Sequence, residues 1–216
     1  MSEESENPFH NTLPDLDRLD QVIWDELESS AARPELPWGL AVLATVSALA
    51  GSQTVTPELR TLVLRNADRN SQSLIWHTDS RSPKVEQLQN NGESSILFWS
   101  PNHRVQLTIR GKTQVITEGK LWEEAWESSQ FTSRRAYLGK QAPGAVTSEM
   151  NVNFPDEFTS RPPNATESLV GKANFAVLKT IANEMDFLLL RQSGNVRARL
   201  TWDTVELNWN SAWVCP

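Results

Sequence analysis

Short segments rich in β-branched and aromatic residues follow one another along most of this 216-residue chain. Asn, Asp, Ser and Pro separate them, and regular helices do not alternate with them. A parallel α/β sheet needs such crossover helices, so the pattern favours a mainly β protein, a barrel with a few flanking helices. Strands are predicted at residues 40–47, 60–65, 73–78, 94–99, 105–117, 174–181, 185–191 and 196–209, with a hairpin turn at 192–195.

Helical spacing and helix-start residues predict helices over residues 14–32, 83–90 and 120–138. The second is introduced by Ser82 and Pro83, since Ser is favoured at the N-cap and Pro at the first helical position. Residues 140–172 contain four prolines and few apolar anchors, so we expect a long loop, which usually serves function or mobility. The domain prediction is an acidic disordered tail at 1–13 and a single domain over 14–216.

Charge is unevenly placed along the chain. The formal net charge is −7, but residues 1–37 hold ten Asp/Glu against two Arg, which leaves the remainder close to neutral. A protein that coats a polyanion needs a basic body, so nucleic acid is not an expected partner. The most apolar run, residues 38–50, is too short to cross a bilayer. With one cysteine, Cys215, and no signal-peptide pattern, a cytoplasmic protein without a membrane partner is expected.

No catalytic signature occurs in the sequence. Nucleophile elbows, dinucleotide and phosphate-binding glycine loops and zinc-protease motifs are absent, and no Cys/His spacing fits a metal. We therefore assign no catalytic side chain, predict no metal ligand, and expect any redox chemistry to come from a cofactor.

The stretch from residue 60 to residue 84 is the most informative for binding. It carries five basic residues and two acids, and Lys84 falls in the first turn of the predicted helix at 83–90. A cation there is mildly unfavourable unless an anion binds at the helix start. Arg60 and Arg65 could reach the same region, although in a regular strand they face opposite sides. The alternative is an ordinary solvated basic surface.

Two further positions are open to two interpretations. Gln106 lies on the polar face of an alternating strand and is either a ligand contact or a solvent-facing glutamine. Arg134, which lies with Tyr137 near the end of the third predicted helix, either belongs to a binding site or complements the helix dipole.

Four segments together resemble the pyridoxamine 5′-phosphate oxidase family. They are RTLVLR at 60–65, LIWHTDSRSPK at 74–84, LFW at 97–99 and RVQLTIRGK at 104–112. Their order and spacing match the family over about residues 38–144, with a weaker match from about 174 onward. The resemblance implies a split β-barrel that binds FMN between the two subunits of a homodimer.

The resemblance also implies roles for individual residues. Arg60 and Lys84 would hold the FMN phosphate beside Ser82, the backbone of Val63 and Leu64 would follow the isoalloxazine ring, and Gln106 would hydrogen-bond it. The remaining cofactor positions would be Arg65, His77, Thr78 and Arg199. The substrate positions would be Arg65, Arg134, Tyr137 and Arg197.

Several family positions differ in this sequence. Arg65 replaces a lysine that touches flavin and substrate, and Pro83 replaces an arginine. The late Arg-x-His pair is Asn195-Val196-Arg197, and the tryptophan before it is Phe187 or Leu188. The flavin positions are better kept than the substrate positions.

Three functions follow from the resemblance. The first is oxidation of a small, B6-type phosphorylated substrate by hydride transfer to FMN, with O₂ as final acceptor. The second is FMN-dependent reduction or oxidation of another small molecule. The third is a binding protein of the same fold that has lost the flavin.

Overall fold

A computed structural model describes residues 15–48 and 55–216 of the chain. The helices are α1 (Leu19–Ala32), α2 (Pro83–Asn90), α3 (Lys120–Ser128), α4 (Phe131–Arg134), α5 (Glu157–Ser160) and α6 (Ala165–Ser168). The strands are β1 (Leu40–Ala48), β2 (Val55–Asp68), β3 (Ser73–Asp79), β4 (Glu93–Ser100), β5 (Val105–Ile116), β6 (Phe175–Leu189), β7 (Val196–Asp203) and β8 (Asn208–Val214). Short 3-10 turns lie at Leu16–Arg18, Pro37–Gly39, Arg135–Leu138 and Leu169–Asn174.

The eight strands form one sheet in the order β3-β2-β1-β4-β5-β6-β7-β8, and β6 also pairs with β3. That last pairing closes six strands into a ring, from which β7 and β8 extend. The pairs β1–β2, β1–β4, β2–β3, β4–β5, β6–β7 and β7–β8 are antiparallel. The predicted mainly β split barrel is therefore confirmed.

The chain divides into two compact units. Of the described residues, the first comprises 15–48, 55–76, 93–113 and 180–216, and the second comprises 77–92 and 114–179. The core of the first unit contains α1 and buried aromatic rings. The ring centroid of Phe98 lies 5.9 Å from that of Trp38 and 6.1 Å from that of Trp76. The core of the second unit centres on Phe175, which is 1% exposed. None of the helices in the described residues is long and apolar enough to cross a membrane.

Helix α2 begins and ends where the sequence predicts, but the helix predicted at 120–138 is broken. α3 ends at Ser128, and Ser129 and Gln130 have extended backbones before α4 begins. The Ser129 hydroxyl donates to the Trp126 carbonyl at 2.7 Å. Such local serine bonds compete with helical ones, which explains the break.

The loop predicted at 140–172 is only partly irregular. Its second half contains α5, α6 and most of the 3-10 turn at Leu169–Asn174. α6 begins with a capping box in which the side chains of Asn164 and Glu167 each accept the other residue's backbone N–H. This Asn-x-x-Glu pattern is visible in the sequence and predicts a helix start.

Two strand boundaries also differ from the prediction. The strands predicted at 174–181 and 185–191 are one continuous strand, β6, because the polar residue Glu184 pairs with Thr201 instead of forming a turn. The strand predicted at 196–209 is a hairpin of β7 and β8. Its turn is held by Asp203, whose Oδ1 accepts the N–H groups of Val205 and Glu206. The prediction of a single domain over 14–216 stays a prediction, and the predicted tail at 1–13 lies outside the described residues.

Candidate functional site

Three of the residues predicted to bind the cofactor meet at the start of α2. The Lys84 ammonium donates to Ser82 Oγ at 2.6 Å and to Thr78 Oγ1 at 3.1 Å. Ser82 and Thr78 are 6% and 5% exposed, while Lys84 is half-buried. The structure thus holds one cation and two hydroxyls together at a helix start.

The start of α2 offers favourable geometry for an anion. Ser82 has the extended backbone of an N-cap residue, yet its side chain makes no capping bond, and its oxygen accepts from the Lys84 ammonium. Pro83 at the first position has no N–H to satisfy. The positive end of the helix dipole and the Lys84 ammonium therefore act on the same side, which suits a phosphate group. These residues fit the FMN phosphate that the resemblance implies.

Arg60 lies on β2, in the first compact unit. Its guanidinium donates from Nη1 to Thr45 Oγ1 on β1 at 2.5 Å and to the Glu58 carbonyl at 3.1 Å. Burial lowers the pKa of Arg60, and the nearby Glu58 charge opposes that shift. The side chain is thus held in a defined position by the adjacent strand.

Residues 63–65 lie where β2 becomes irregular. In the pairing with β3, Leu64 lies opposite Trp76 and Asn66 lies opposite Ile75, so Arg65 is an extra residue in a bulge. Leu64 is fully buried, Arg65 is exposed and Val63 is half-buried. The regular alternation of side chains between the two faces, on which Arg60 and Arg65 would point to opposite sides of β2, therefore fails at Arg65.

Gln106 occupies the position expected from the alternating pattern of β5. Its neighbours Val105, Leu107 and Ile109 are fully buried, and Gln106 is half-buried on the opposite face, across from Trp99. The half-buried strand is confirmed, and the contact of Gln106 with flavin stays a prediction.

His77 precedes the site cluster on β3. Its ring meets the ring of Phe175 edge-on, with centroids 5.0 Å apart. The aromatic packing of the second compact unit therefore fixes this ring next to Thr78.

Two predicted arginines on β7 are paired with acids of β6. Arg197 donates through Nε and Nη2 to the buried Asp186 carboxylate at 2.9 and 2.8 Å, which raises the pKa of Arg197. Arg199 lies 3.8 Å from Glu184, which also forms an ion pair with Arg110. Both charges already have partners within the chain.

Arg134 and Tyr137 lie in the interior of the second unit. Arg134 is 7% exposed, donates to the carbonyls of Trp126 and Glu127 at 2.7 and 3.1 Å, and stacks between the rings of Trp126 and Phe131. Burial lowers its pKa. Tyr137 is buried, its ring centroid 5.1 Å from that of Phe175. These contacts support the alternative in which Arg134 complements the dipole at the end of α3. They do not test its predicted role in binding substrate.

A residue that the sequence reasoning did not single out is Arg81. It binds Asp79 through two nitrogens and donates to the Gly139 carbonyl at 2.9 Å. The Asp79–Arg81 spacing around a turn is a local signal, but the contact with residue 139 cannot be read from a local pattern. Within the described parts of the chain, no group of three or more His, Cys, Asp or Glu could hold a metal ion.

Known proteins similar to this chain include two curated oxidases. Pyridoxine/pyridoxamine 5′-phosphate oxidase of Pelagibacter ubique is 26% identical over 206 residues, covering 93% of this chain and 94% of that protein. Pyridoxine/pyridoxamine 5′-phosphate oxidase 2 of Arabidopsis thaliana is 30% identical over 89 residues, covering 38% of this chain. The match spans 45% of the length of the Arabidopsis protein.

Solved structures share the fold. A pyridoxamine 5′-phosphate oxidase-related, FMN-binding protein of Nostoc punctiforme aligns with a TM-score of 0.67 at 24% identity, over 91% of this chain and 96% of that one. PhzG of Burkholderia lata, solved with tetrahydrophenazine-1-carboxylic acid, aligns with a TM-score of 0.62 at 17% identity, over 94% of both chains.

Part of the barrel sequence matches a family profile. Residues 21–117 match the family profile described as pyridoxamine 5′-phosphate oxidase, FMN-binding domain. Together with the fold, this match defines the chain as an FMN-binding flavoprotein with a split β-barrel. Over residues 21–117 the chain is similar to the pyridoxamine 5′-phosphate oxidase family, which confirms the resemblance drawn from the four sequence segments.

Proposed function

We propose that this protein is an FMN-dependent oxidoreductase of a small molecule, with a B6-type 5′-phosphate as the first candidate substrate. The observation that carries the proposal is the Lys84, Ser82 and Thr78 cluster at the start of α2, inside a domain of an FMN-binding family. The curated oxidase that covers nearly the whole chain supports the candidate substrate. When bound, FMN supplies the hydride-accepting ring, and the protein supplies position and charge.

The proposed cofactor roles follow the chemistry of each residue. Lys84 and Ser82, together with Arg60, would hold the phosphate through charge-assisted hydrogen bonds. The backbone of Val63 and Leu64 would lie along the ring, where the bulge at Arg65 re-aims the strand. The other proposed ring contacts are His77, Thr78, Gln106 and Arg199.

The proposed substrate arginines differ in their exposure to solvent and in the partners that their charges already have. Arg65 is exposed at the bulge, whereas Arg134 is enclosed among carbonyls and rings and Arg197 is paired with Asp186. Among these arginines, Arg65 is therefore the best placed to meet a substrate from solvent. A role of Arg134 or Tyr137 in phosphate binding would require their present packing to open.

The second candidate is an FMN-dependent reductase or oxidase of another small molecule. It is favoured by the contacts that Arg134 and Arg197 already make within the chain, since the resemblance would place both at a B6-type substrate. The fold admits such a change, because PhzG shares it and was solved with tetrahydrophenazine-1-carboxylic acid.

One experiment tests the proposal in two stages. The purified protein is incubated with FMN and passed through gel filtration, and flavin absorbance is expected to elute with the protein. The holoprotein is then assayed for pyridoxal 5′-phosphate formation from pyridoxine and pyridoxamine 5′-phosphate under air. Retained flavin with turnover supports the first candidate. Retained flavin without turnover supports the second, and a protein that takes up no FMN contradicts both.

We also propose that the protein is a homodimer. The outward face of β1, β2 and β4 carries exposed apolar side chains, namely Leu40, Leu59, Leu97 and Trp99, which are 52%, 67%, 36% and 44% exposed. The strand register places Val42 next to Leu97 and Ala44 next to Leu59, so this face is contiguous. A contiguous apolar surface of this kind is typical of an interface.

A further inference from the structure

The turn that leads into α2 is tied to a distant part of the chain by one arginine. Arg81 donates from Nε and Nη2 to the two carboxylate oxygens of Asp79 at 3.0 and 2.7 Å, and its backbone N–H donates to Oδ1 at 2.9 Å. Its Nη1 donates to the Gly139 carbonyl at 2.9 Å. Asp79 is 8% exposed, so this ion pair is shielded from solvent. Arg81 therefore bridges the turn before α2 and the loop that begins at residue 139.

Residues 139–153, here called the clamped loop, have their two ends held together. Asn153 Nδ2 donates to the Gln141 carbonyl at 2.8 Å, and the Gln141 N–H donates to Asn153 Oδ1 at 3.2 Å. A Cβ on Gly139 would lie 2.4 Å from the Asn153 carbonyl oxygen, so only glycine allows this approach. Asn153 has φ of 54°, a conformation that asparagine adopts more readily than most residues.

The middle of the clamped loop passes beside the start of α2. A Cβ on Gly144 would lie 3.7 Å from Cγ of Pro83, the residue directly before Lys84. A cavity of about 830 Å³ and another of about 500 Å³ are lined largely by this loop. Because Arg81 holds the base of the loop and Pro83 lies near its middle, the loop stays beside the start of α2 rather than extending freely.

We propose that Arg81 is a positioning residue: it holds the clamped loop beside the start of α2, where the loop slows the release of bound FMN. This inference rests on the proposed phosphate site at Lys84. A guanidinium can bond Asp79 on one edge and Gly139 on the other, whereas a lysine ammonium offers no planar fork and cannot keep both partners in this geometry. Loss of either clamp frees the loop to open, which raises the rate at which the cofactor leaves.

Two variants test the proposal with FMN as the probe. Arg81→Lys weakens the bridge but keeps the charge, and Asn153→Gly opens the ends of the loop without any change of charge and tolerates the positive φ. The dissociation rate of FMN is measured from the recovery of free-flavin fluorescence after dilution. Both variants are expected to release FMN about five to ten times faster, which corresponds to the loss of one hydrogen bond. Cleavage by a glutamate-specific protease at Glu149 is expected to accelerate as well.

The control is Arg161→Gln, which removes an exposed ion pair with Glu167 in the same compact unit and should leave both rates unchanged. Unchanged release and unchanged cleavage in the two loop variants would overturn the proposal. Faster release in Arg81→Lys alone would also overturn it, since Arg81 would then act on the phosphate directly. If Lys84→Ala retains FMN, the proposed cofactor site fails; if Lys84→Ala loses FMN and the loop variants do not release it faster, only the positioning role fails.

Discussion

Among single residues, Lys84 has the clearest assignment, because its ammonium is the charge at the start of α2. We expect Lys84→Ala to weaken FMN binding at least about tenfold, since hydrogen bonds to charged groups contribute about 1.5–3 kcal/mol. Arg60→Ala is expected to act in the same direction, with part of the effect from the lost hydrogen bond to Thr45. Fluorescence titration with FMN measures the affinity, and far-UV circular dichroism checks that the fold is kept.

Lys112→Ala is the matched control for Lys84→Ala. Lys112 is an exposed lysine on β5, so its removal changes the net charge equally without touching the start of α2. Equal FMN affinity in the two lysine variants would show that the phosphate does not bind at α2.

For Arg134, a structural role and a substrate-binding role can be distinguished by experiment. Arg134→Met keeps much of the apolar side-chain volume but removes the donors to the Trp126 and Glu127 carbonyls. We expect the free energy of unfolding to fall by about 2–3 kcal/mol, because buried acceptors lose a charged partner. Urea denaturation measures this change. A raised KM for a phosphorylated substrate at unchanged stability would instead support the substrate role.

At the scale of elements, α1 is fastened to the turn after β2 by a salt bridge. Arg69 donates from its backbone N–H and from Nε to Glu28 Oε1 at 3.1 and 3.2 Å, and from Nη2 to Glu28 Oε2 at 2.7 Å. The hydrogen bonds from Arg69 hold the pKa of Glu28 below its usual value, against a smaller opposing effect of burial. A lowered pKa in the folded state means that the carboxylate stabilises the fold above its ordinary pKa, and that this contribution is lost as the pH falls through the lowered value.

Arg69→Gln is therefore expected to lower the free energy of unfolding at pH 7. This difference from the native protein is expected to become smaller in acid. Both side chains are about one-third exposed, so the loss at pH 7 should be below about 1 kcal/mol. Urea midpoints at pH 7, 5 and 3 test this, and the difference between the native and variant midpoints should shrink as the pH falls. Arg18→Gln, on the exposed turn before α1, is the control. A difference that persists unchanged at pH 3 would contradict the assignment.

Element boundaries show where local patterns succeed. α2 was predictable to the residue because Ser82 and Pro83 mark its start directly, and β5 was predictable because its apolar residues alternate. The break after α3 and the continuity of β6 were not. Ser129 bonds locally, but serine also occurs within helices, so its presence alone does not mark the break. Glu184 is settled by its pairing with Thr201 on another strand. The irregularity of β2 at Arg65 is likewise a product of its pairing with β3.

At the scale of the whole molecule, the outward face of β1, β2 and β4 predicts the oligomeric state. The protein is expected to sediment as a dimer, and Leu97→Lys is expected to raise the dimer dissociation constant at least about tenfold, because it places a charge among apolar contacts. Analytical ultracentrifugation measures both. Val205→Lys, at an apolar residue that is 83% exposed in the β7–β8 turn, is the control. A wild-type protein that sediments as a monomer with FMN bound would contradict the dimer.

The sequence by itself determined the class of this protein: a mainly β barrel, its helix start at Ser82, and its similarity to a family that binds FMN. These features rest on alternation, turn residues and short motifs, all of which act between near neighbours in the chain. The tertiary structure decided which charged side chains have partners within the chain and which distant residues contact one another. It encloses Arg134 among carbonyls and joins Arg81 to Gly139, 58 residues away. Contacts of this kind depend on how distant segments pack, and local sequence patterns carry no record of that packing.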